Sequence, residues 1–474
     1  MADNKANVPD FLKLKEIPVD YVQQIESDLL EPVVHQEATA NNTGFCRFEL
    51  QNKGILHSHS KIFLSLIPNA DNNSAFLPQN IGIGSLIERA VLKVGNQVLN
   101  EITDWSHLHS IKSMFIDNEY NKEREQYSTG RTINHRFTFK DKGGAESEVL
   151  SDKYGLDNGR EYFGTVGAVG NLDQQPFANM DGSTAAKKAQ SPVYCVDLVD
   201  LFPFLDRQEI PLFMISAPVS IELTWSKTVS DRVSSAGAGG SVVGKSYLID
   251  RNELKFAADY IFYGATDEMA RYAAANPVIE FSFEDYRLVK STVTKDQLKS
   301  GIVANLGMAN RLVTRVSTIM TETGLGDDAV LNKYICQAPQ NKATGEVGKI
   351  EYNLRYNDRF EYATNLENTA RIFNQLVASE GIPFVTRQEY SGAQQGITSA
   401  TFERRAQNSA TFDGLRKCFF VMGTRLTGQR VGQRGIELHL KVDEMRDFPH
   451  NIRSYCEYLR KAVLTNGMFE VYNV

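Results

Sequence analysis

The feature that most constrains this chain is a period of two. Apolar and polar residues alternate through Phe45–Leu50 (FCRFEL), Lys61–Ile67 (KIFLSLI), the stretch Val219, Ile221, Leu223 and Trp225, then Val278–Val289 and Leu312–Met320. Successive side chains of a strand point to opposite faces, so each of these runs reads as a half-buried strand. Further strands are expected at Val193–Val199, Leu254–Tyr263, Lys417–Met422, Gly435–Val442 and Tyr455–Val463. With 26 Phe and 19 Tyr among 474 residues and Thr, Val and Ile in the apolar runs, the composition also favours strands. The chain is expected to be all-β, and it is long enough for more than one core.

Turns and short helices punctuate these strands. In ERAVLKVGNQVL (Glu88–Leu99), Gly95 and Asn96 tolerate the positive φ of a tight turn, so a hairpin is expected. Asp104 then stands as an N-cap before a short helix that places Trp105, Leu108, Ile111 and Phe115 on one face. A second helix is expected over Thr266–Asn276 (TDEMARYAAAN), stopped by Pro277, and a third at Ala370–Val377. Pro203, Pro211 and Pro218 make parts of Leu201–Trp225 edge or connecting segments.

The organisation follows. Residues 1–40 form an arm, with a short amphipathic stretch at helical spacing from Tyr21 to Leu30 (Val22, Ile25, Leu29, Leu30). Residues 41–265 form a first β domain, with a long polar surface insertion at about 116–190 and a Gly/Ser loop over 226–252. Residues 266–277 are a linker helix, and 278–474 a second β domain.

Several function classes lose support. Lys+Arg 51 against Asp+Glu 58 leaves a net charge of −7, which argues against direct binding along nucleic-acid phosphates. No run approaches the ~18 apolar residues of a membrane span, and the start MADNKANVPDFLKLKEIPVDY has no apolar signal core, so synthesis without a secretory signal is expected. Cys46, Cys195, Cys336, Cys418 and Cys456 lack C-x-x-C spacing and are expected to be buried free thiols.

The sharpest chemical motif is GGSVVGKS, where Gly239, Gly244, Lys245 and Ser246 match a phosphate-binding loop. That loop needs a strand running directly in and a helix running out. Here the last apolar strand ends at Trp225 and YLIDRNELKF follows, so the match reads as chance and a flexible glycine loop is expected. His57 and His59 share a strand face and His107 and His109 have the same spacing, but neither pair has a third ligand nearby; they read as surface or capping side chains. With no G-x-S-x-G, no H-E-x-x-H and no carboxylate pair set by spacing, no catalytic residue, metal site or cofactor is expected.

Three segments in order resemble one family. Leu86–Trp105 (LIERAVLKVGNQVLNEITDW) is similar to a strand, a Gly-centred turn (Gly95, Asn96), a strand, and an Asp-Trp pair (Asp104, Trp105) opening a helix. Ile210–Trp225 is similar to a long apolar strand entered through Ile-Pro-Leu at Pro211, and Glu253–Val289 to an Asp-Tyr strand (Asp259, Tyr260), an acidic-started helix and a strand opening a second domain. Together they cover about a sixth of the chain. They resemble the double jelly-roll major capsid proteins of double-stranded DNA viruses, especially those of polinton-like viruses and virophages, and more distantly those of large nucleocytoplasmic DNA viruses.

The resemblance implies two consecutive eight-stranded jelly-roll sandwiches with inserted short helices and long loops. It implies a structural, non-enzymatic virion protein: a homotrimer of pseudo-hexagonal outline that tiles an icosahedral shell beside penton and minor or cement proteins. The 116–190 insertion would form an outward tower, and the arm would point inward or reach a neighbour. The competing reading is a β-sandwich glycan-binding attachment protein, which predicts a monomer or fibre with a concave aromatic site.

Overall fold

The computed structural model describes residues 23–38, 42–68, 81–116, 193–206, 208–226, 247–263, 266–322, 349–367, 369–380, 421–426, 430–443 and 449–474, with short pieces at 75–78, 128–129, 137–140, 146–149, 160–163, 235–236 and 242–243. The alternating runs are strands, and they form two sandwiches in series. In the first, one sheet runs in the order Gln23–Leu30, Lys255–Tyr263, Lys61–Pro68, Val193–Asp197, and the facing sheet in the order Val34–Gln36, Phe45–Leu50, Val219–Trp225, Ile87–Val94, Gln97–Thr103. Strand neighbours far apart in sequence, such as Val219–Trp225 between Phe45–Leu50 and Ile87–Val94, mark a sandwich wound by long crossovers rather than a meander.

The second sandwich pairs Val278–Val293 with His450–Thr465 over sixteen residues. Val313–Glu322, Val421–Arg425 and Met468–Asn473 complete that sheet. The facing sheet is Ile302–Gly307, Ile436–Val442, Ile350–Tyr356 and Arg359–Phe360. Along Ile436–Val442 and Lys255–Tyr263 buried residues alternate with partly exposed ones, as the sequence pattern requires.

Local chemistry accounts for the turns. Gly95 takes φ +57° between the strands Ile87–Val94 and Gln97–Thr103, and of the two turn residues it alone enters the left-handed region; Asn96 does not need its tolerance. The hairpin register slips so that Leu99 is an extra residue, a bulge. The helix Lys295–Ser300 opens on a capping box, with Thr294 and Gln297 bonded reciprocally.

Several expectations are corrected. The described part of Tyr21–Leu30 is not helical: Gln23–Leu30 is a strand paired along its whole length with Lys255–Tyr263, and Val34–Gln36 pairs with Phe45–Leu50. Spacing of three and four between Val22, Ile25 and Leu29 imitates a helix, but the neighbouring strand supplies the partner that decides. The Gly/Ser loop is shorter than 226–252, because Tyr247–Ile249 pairs with the end of Lys61–Pro68. Cys46 and Cys456 are buried free thiols, whereas Cys195 is only half-buried. Burial raises the Cys46 thiol and pushes Cys456 up to about 12, so both are inert near neutrality.

Candidate functional site

The two sandwiches meet along a seam. From the first come the strand Gln97–Thr103, the helix Trp105–Ile116 and the turn at Pro203–Leu205; from the second come Val278–Val293, His450–Thr465 and Met468–Asn473. Its apolar part is aromatic: Phe204 lies 5.6 Å, 5.0 Å and 6.3 Å from the rings of Phe281, Phe283 and Phe469. Each such pair adds about 0.5–1.5 kcal/mol beyond area burial. The carbonyl of Gly467 accepts from the Ser216 amide at 3.0 Å, fastening a second point.

Three buried carboxylate clusters hold the rest. Asp104 has φ +52° and stands immediately before the helix Trp105–Ile116. One oxygen shares a 2.5 Å hydrogen bond with His107 Nδ1, and the other accepts from Arg453 Nε at 2.7 Å across the seam. Arg453 also donates to Thr321, and the Tyr455 hydroxyl donates to the Asp104 carbonyl at 3.0 Å. Burial would raise this acid, yet His107 and Arg453 together hold it well below the usual carboxylate range. His107, expected at a surface or cap, is buried because it is part of this cluster.

The bulge supplies the second cluster. Asn100 Nδ2 donates to Asp285 Oδ1 at 2.8 Å, and Asn100 Oδ1 accepts from the Phe204 amide at 3.4 Å. Asp285 Oδ2 accepts from Arg460 at 2.7 Å and Tyr458 at 3.2 Å. The same Arg460 nitrogen reaches the bulged Leu99 carbonyl at 3.5 Å. For Asp285 burial outweighs Arg460 and lifts the carboxyl above its ordinary value.

The third cluster lines a cleft of about 570 Å³ at the seam. Lys112 Nζ lies 3.0 Å from Glu457 and 3.4 Å from Glu380; Arg315 lies 2.5 Å from Glu380. The Tyr286 hydroxyl donates to Glu457 at 2.7 Å, and Ser317 to Glu380 at 2.5 Å. Burial opposes ionisation of Glu457, but Lys112 and Arg315 override it and keep its carboxyl low, while burial and Glu457 push Tyr286 well up. Lys112 and Arg315 both pair with Glu380 and Glu457, which is the chemistry of a clamp. The cleft's Trp105, Phe204 and Phe283 are buried, so they offer no open stacking platform.

The other singled-out residues are structural and dispersed. Trp105 Nε1 donates to the Asp200 carbonyl at 2.9 Å, and its ring stacks on His109 at 4.6 Å. Pro211 precedes the turn Leu212–Met214, next to the bridge from Ile210 to Leu56. The Asp259 amide donates to Ser60 Oγ at 3.0 Å, and Tyr260 fills the first core beneath Lys53, 4.7 Å from its ring centroid. Only Asp104 and Trp105 of that set reach the seam. His57 and His59 rings lie 5.5 Å apart, with His59 against Asp197 at 3.3 Å. Among the described residues no three His, Cys, Asp or Glu side chains group to hold a metal. Gly239, Gly244, Lys245 and Ser246 lie outside the described residues, as does most of 116–190; Val242–Val243 is a short strand paired with Ser235–Ala236.

Sequence reasoning missed Asn100, Lys112, Asp285, Arg315, Glu380, Arg453, Glu457 and Arg460. The available signal was polar residues on inward-facing positions of strands, such as Glu457 and Arg453 within His450–Thr465.

No family model and no curated protein matches the sequence. Solved structures do match the fold. The Faustovirus major capsid protein aligns at 9% identity with a TM-score of 0.55, over 94% of this chain and 91% of that chain. The quasi-atomic PBCV-1 virus capsid aligns at 12% identity and 0.50, over 96% and 97%. The mavirus major capsid protein aligns at 9% and 0.48, over 100% and 95%. The chain therefore has the double jelly-roll fold seen in viral major capsid proteins.

Proposed function

We propose that the protein is a major capsid protein of a double-stranded DNA virus, a structural component of the virion shell without enzymatic activity. The observation that carries this reading is the likeness over more than nine-tenths of the chain, both sandwiches included, to the Faustovirus protein and the PBCV-1 capsid. The seam supports it: buried ion clusters and an aromatic lock join the sandwiches into one block, as a tile that must hold its outline in a shell requires. The chain assembles as a homotrimer presenting six sandwiches in a pseudo-hexagonal outline, beside penton and minor or cement proteins. Its 116–190 insertion faces outward as a tower.

The test is native mass by size exclusion with light scattering, then electron microscopy of the same fraction. A three-chain particle of hexagonal outline, or spontaneous shells, is the expected result. A clean monomer that binds glycans would overturn it in favour of an attachment module.

A further inference from the structure

One end of the second sandwich is built from three short turns that lie far apart in sequence. Residues 307–312 read GMANRL, 356–360 YNDRF and 430–435 RVGQRG, so the turns carry Arg311, Arg359, Arg430 and Arg434 against one acid, Asp358, and hold no lysine. Asn357 and Asp358, at φ +50° and +60°, make the tight hairpin that joins Ile350–Tyr356 to Arg359–Phe360. Met308 and Asn310 take φ +69° and +60° in the first turn. Hydrogen bonds lock the turns together. The Val431 amide donates to the Arg311 carbonyl and the Asn310 amide to the Val431 carbonyl, both at 2.9 Å, and Asn357 Nδ2 donates to the Arg430 carbonyl at 3.2 Å. Arg287 joins them from Val278–Val293, its guanidinium packed over Gly307.

The charges at this end are out of balance. Arg434 meets Asp358 at 2.7 Å and Arg355 meets Glu437 at 3.5 Å. Arg311 rests on the Tyr458 ring, 4.6 Å from its centroid. Among the described residues no carboxylate lies within ion-pair distance of Arg287, Arg359 or Arg430, and all three are exposed. At the seam, by contrast, Lys112, Arg315, Arg453 and Arg460 each hold a carboxylate. The net charge of −7 averages over the chain and hides this local excess. We propose that this end of the second sandwich binds the phosphate backbone of nucleic acid, with Arg287, Arg359 and Arg430 as its exposed contacts. A guanidinium presents a planar fork that matches two phosphate oxygens, and the locked turns hold the forks in place. A membrane surface fits less well: Phe360, exposed on these turns, lies against Arg355 and His439, which leaves no apolar face to insert. Phosphate contacts read no base sequence, so the binding is non-specific and falls steeply with salt. Naming the nucleic acid as a packaged genome rests on the capsid reading; the surface itself does not.

The test is fluorescence anisotropy of a short labelled DNA duplex titrated with the full chain between about 50 and 200 mM salt, each variant first matched to the parent in native mass. The parent should bind with a dissociation constant of about 10⁻⁴–10⁻⁶ M. Arg287→Gln, Arg359→Gln and Arg430→Gln together should weaken binding about tenfold or more, and lower the slope of log affinity against log salt by about 3. Arg251→Gln with Lys299→Gln and Lys349→Gln removes the same charge elsewhere and should stay within about threefold of the parent. Lysine at positions 287, 359 and 430 keeps the charge and should keep the salt slope. Equal losses in the two glutamine triples, or no binding by the parent at about 10⁻⁴ M, would overturn the proposal. So would capture by phosphatidylserine vesicles without binding to DNA. Because native mass is matched beforehand, a loss of DNA binding is read separately from any failure of the chain to assemble.

Discussion

Asp104 and Asp285 are both buried, both belong to the seam, and both bind an arginine of the strand His450–Thr465, yet their carboxyls move in opposite directions. Asp104 meets two basic partners, the His107 ring and Arg453, and its carboxyl is held well below the ordinary range. Asp285 meets Arg460 alone, with neutral donors from Asn100 and Tyr458, and burial prevails. Two further carboxyls extend the series. Glu457 has Lys112 and Arg315 and is held low. Glu209 bonds to Ser58 at 3.1 Å, meets no cation among the described residues, and is pushed up by burial to about 7. Of these four carboxyls, the two with a pair of basic neighbours are held low, and the two with one or none are pushed up by burial.

Three substitutions sharpen or break that rule. Asp104→Asn strands Arg453 in a buried site without its counter-charge, so it should cost about 3 kcal/mol at pH 7, read from urea unfolding. Because the folded carboxyl lies below its ordinary value of 3.8, its stabilisation is present above that pH and fades as pH falls. The acid limb of the stability profile should therefore flatten in the variant.

Glu209→Gln should act in the opposite direction. Its folded value of about 7 lies above the ordinary 4.5, so stability is full below 4.5 and lost as pH rises through 7. The variant should match the parent near pH 4 and exceed it by about 3 kcal/mol at pH 8. Asp285→Asn also leaves Arg460 without its counter-charge, but Arg460 is 17% exposed and burial already disfavours the Asp285 charge, so the loss should be only about 1 kcal/mol. A loss from Asp285→Asn as large as that from Asp104→Asn would refute the cation count as the deciding quantity.

Much of the fold was legible. The hairpin through Gly95, the helices at Trp105–Ile116 and Thr266–Ala275, and the strand Lys255–Tyr263 all stand where period and punctuation placed them. The strand Gln23–Leu30 was misread because its apolar residues fall at a spacing that fits both structures, and no local signal names the partner strand. The seam was nearly invisible. Asp104 was legible as a residue that starts a helix, but Arg453 lies 349 positions away, and Lys112 to Glu457 spans 345. Glu209 carries no pattern at all.

By itself the sequence determined the strands, their inward faces and the division into two β halves, since alternation and turn chemistry act between residues a few positions apart. Only the tertiary structure decided which polar side chains lie buried at the seam and which of them are charged there. That depends on how many cations arrive from distant strands to offset the loss of water, a quantity that no short stretch of sequence contains.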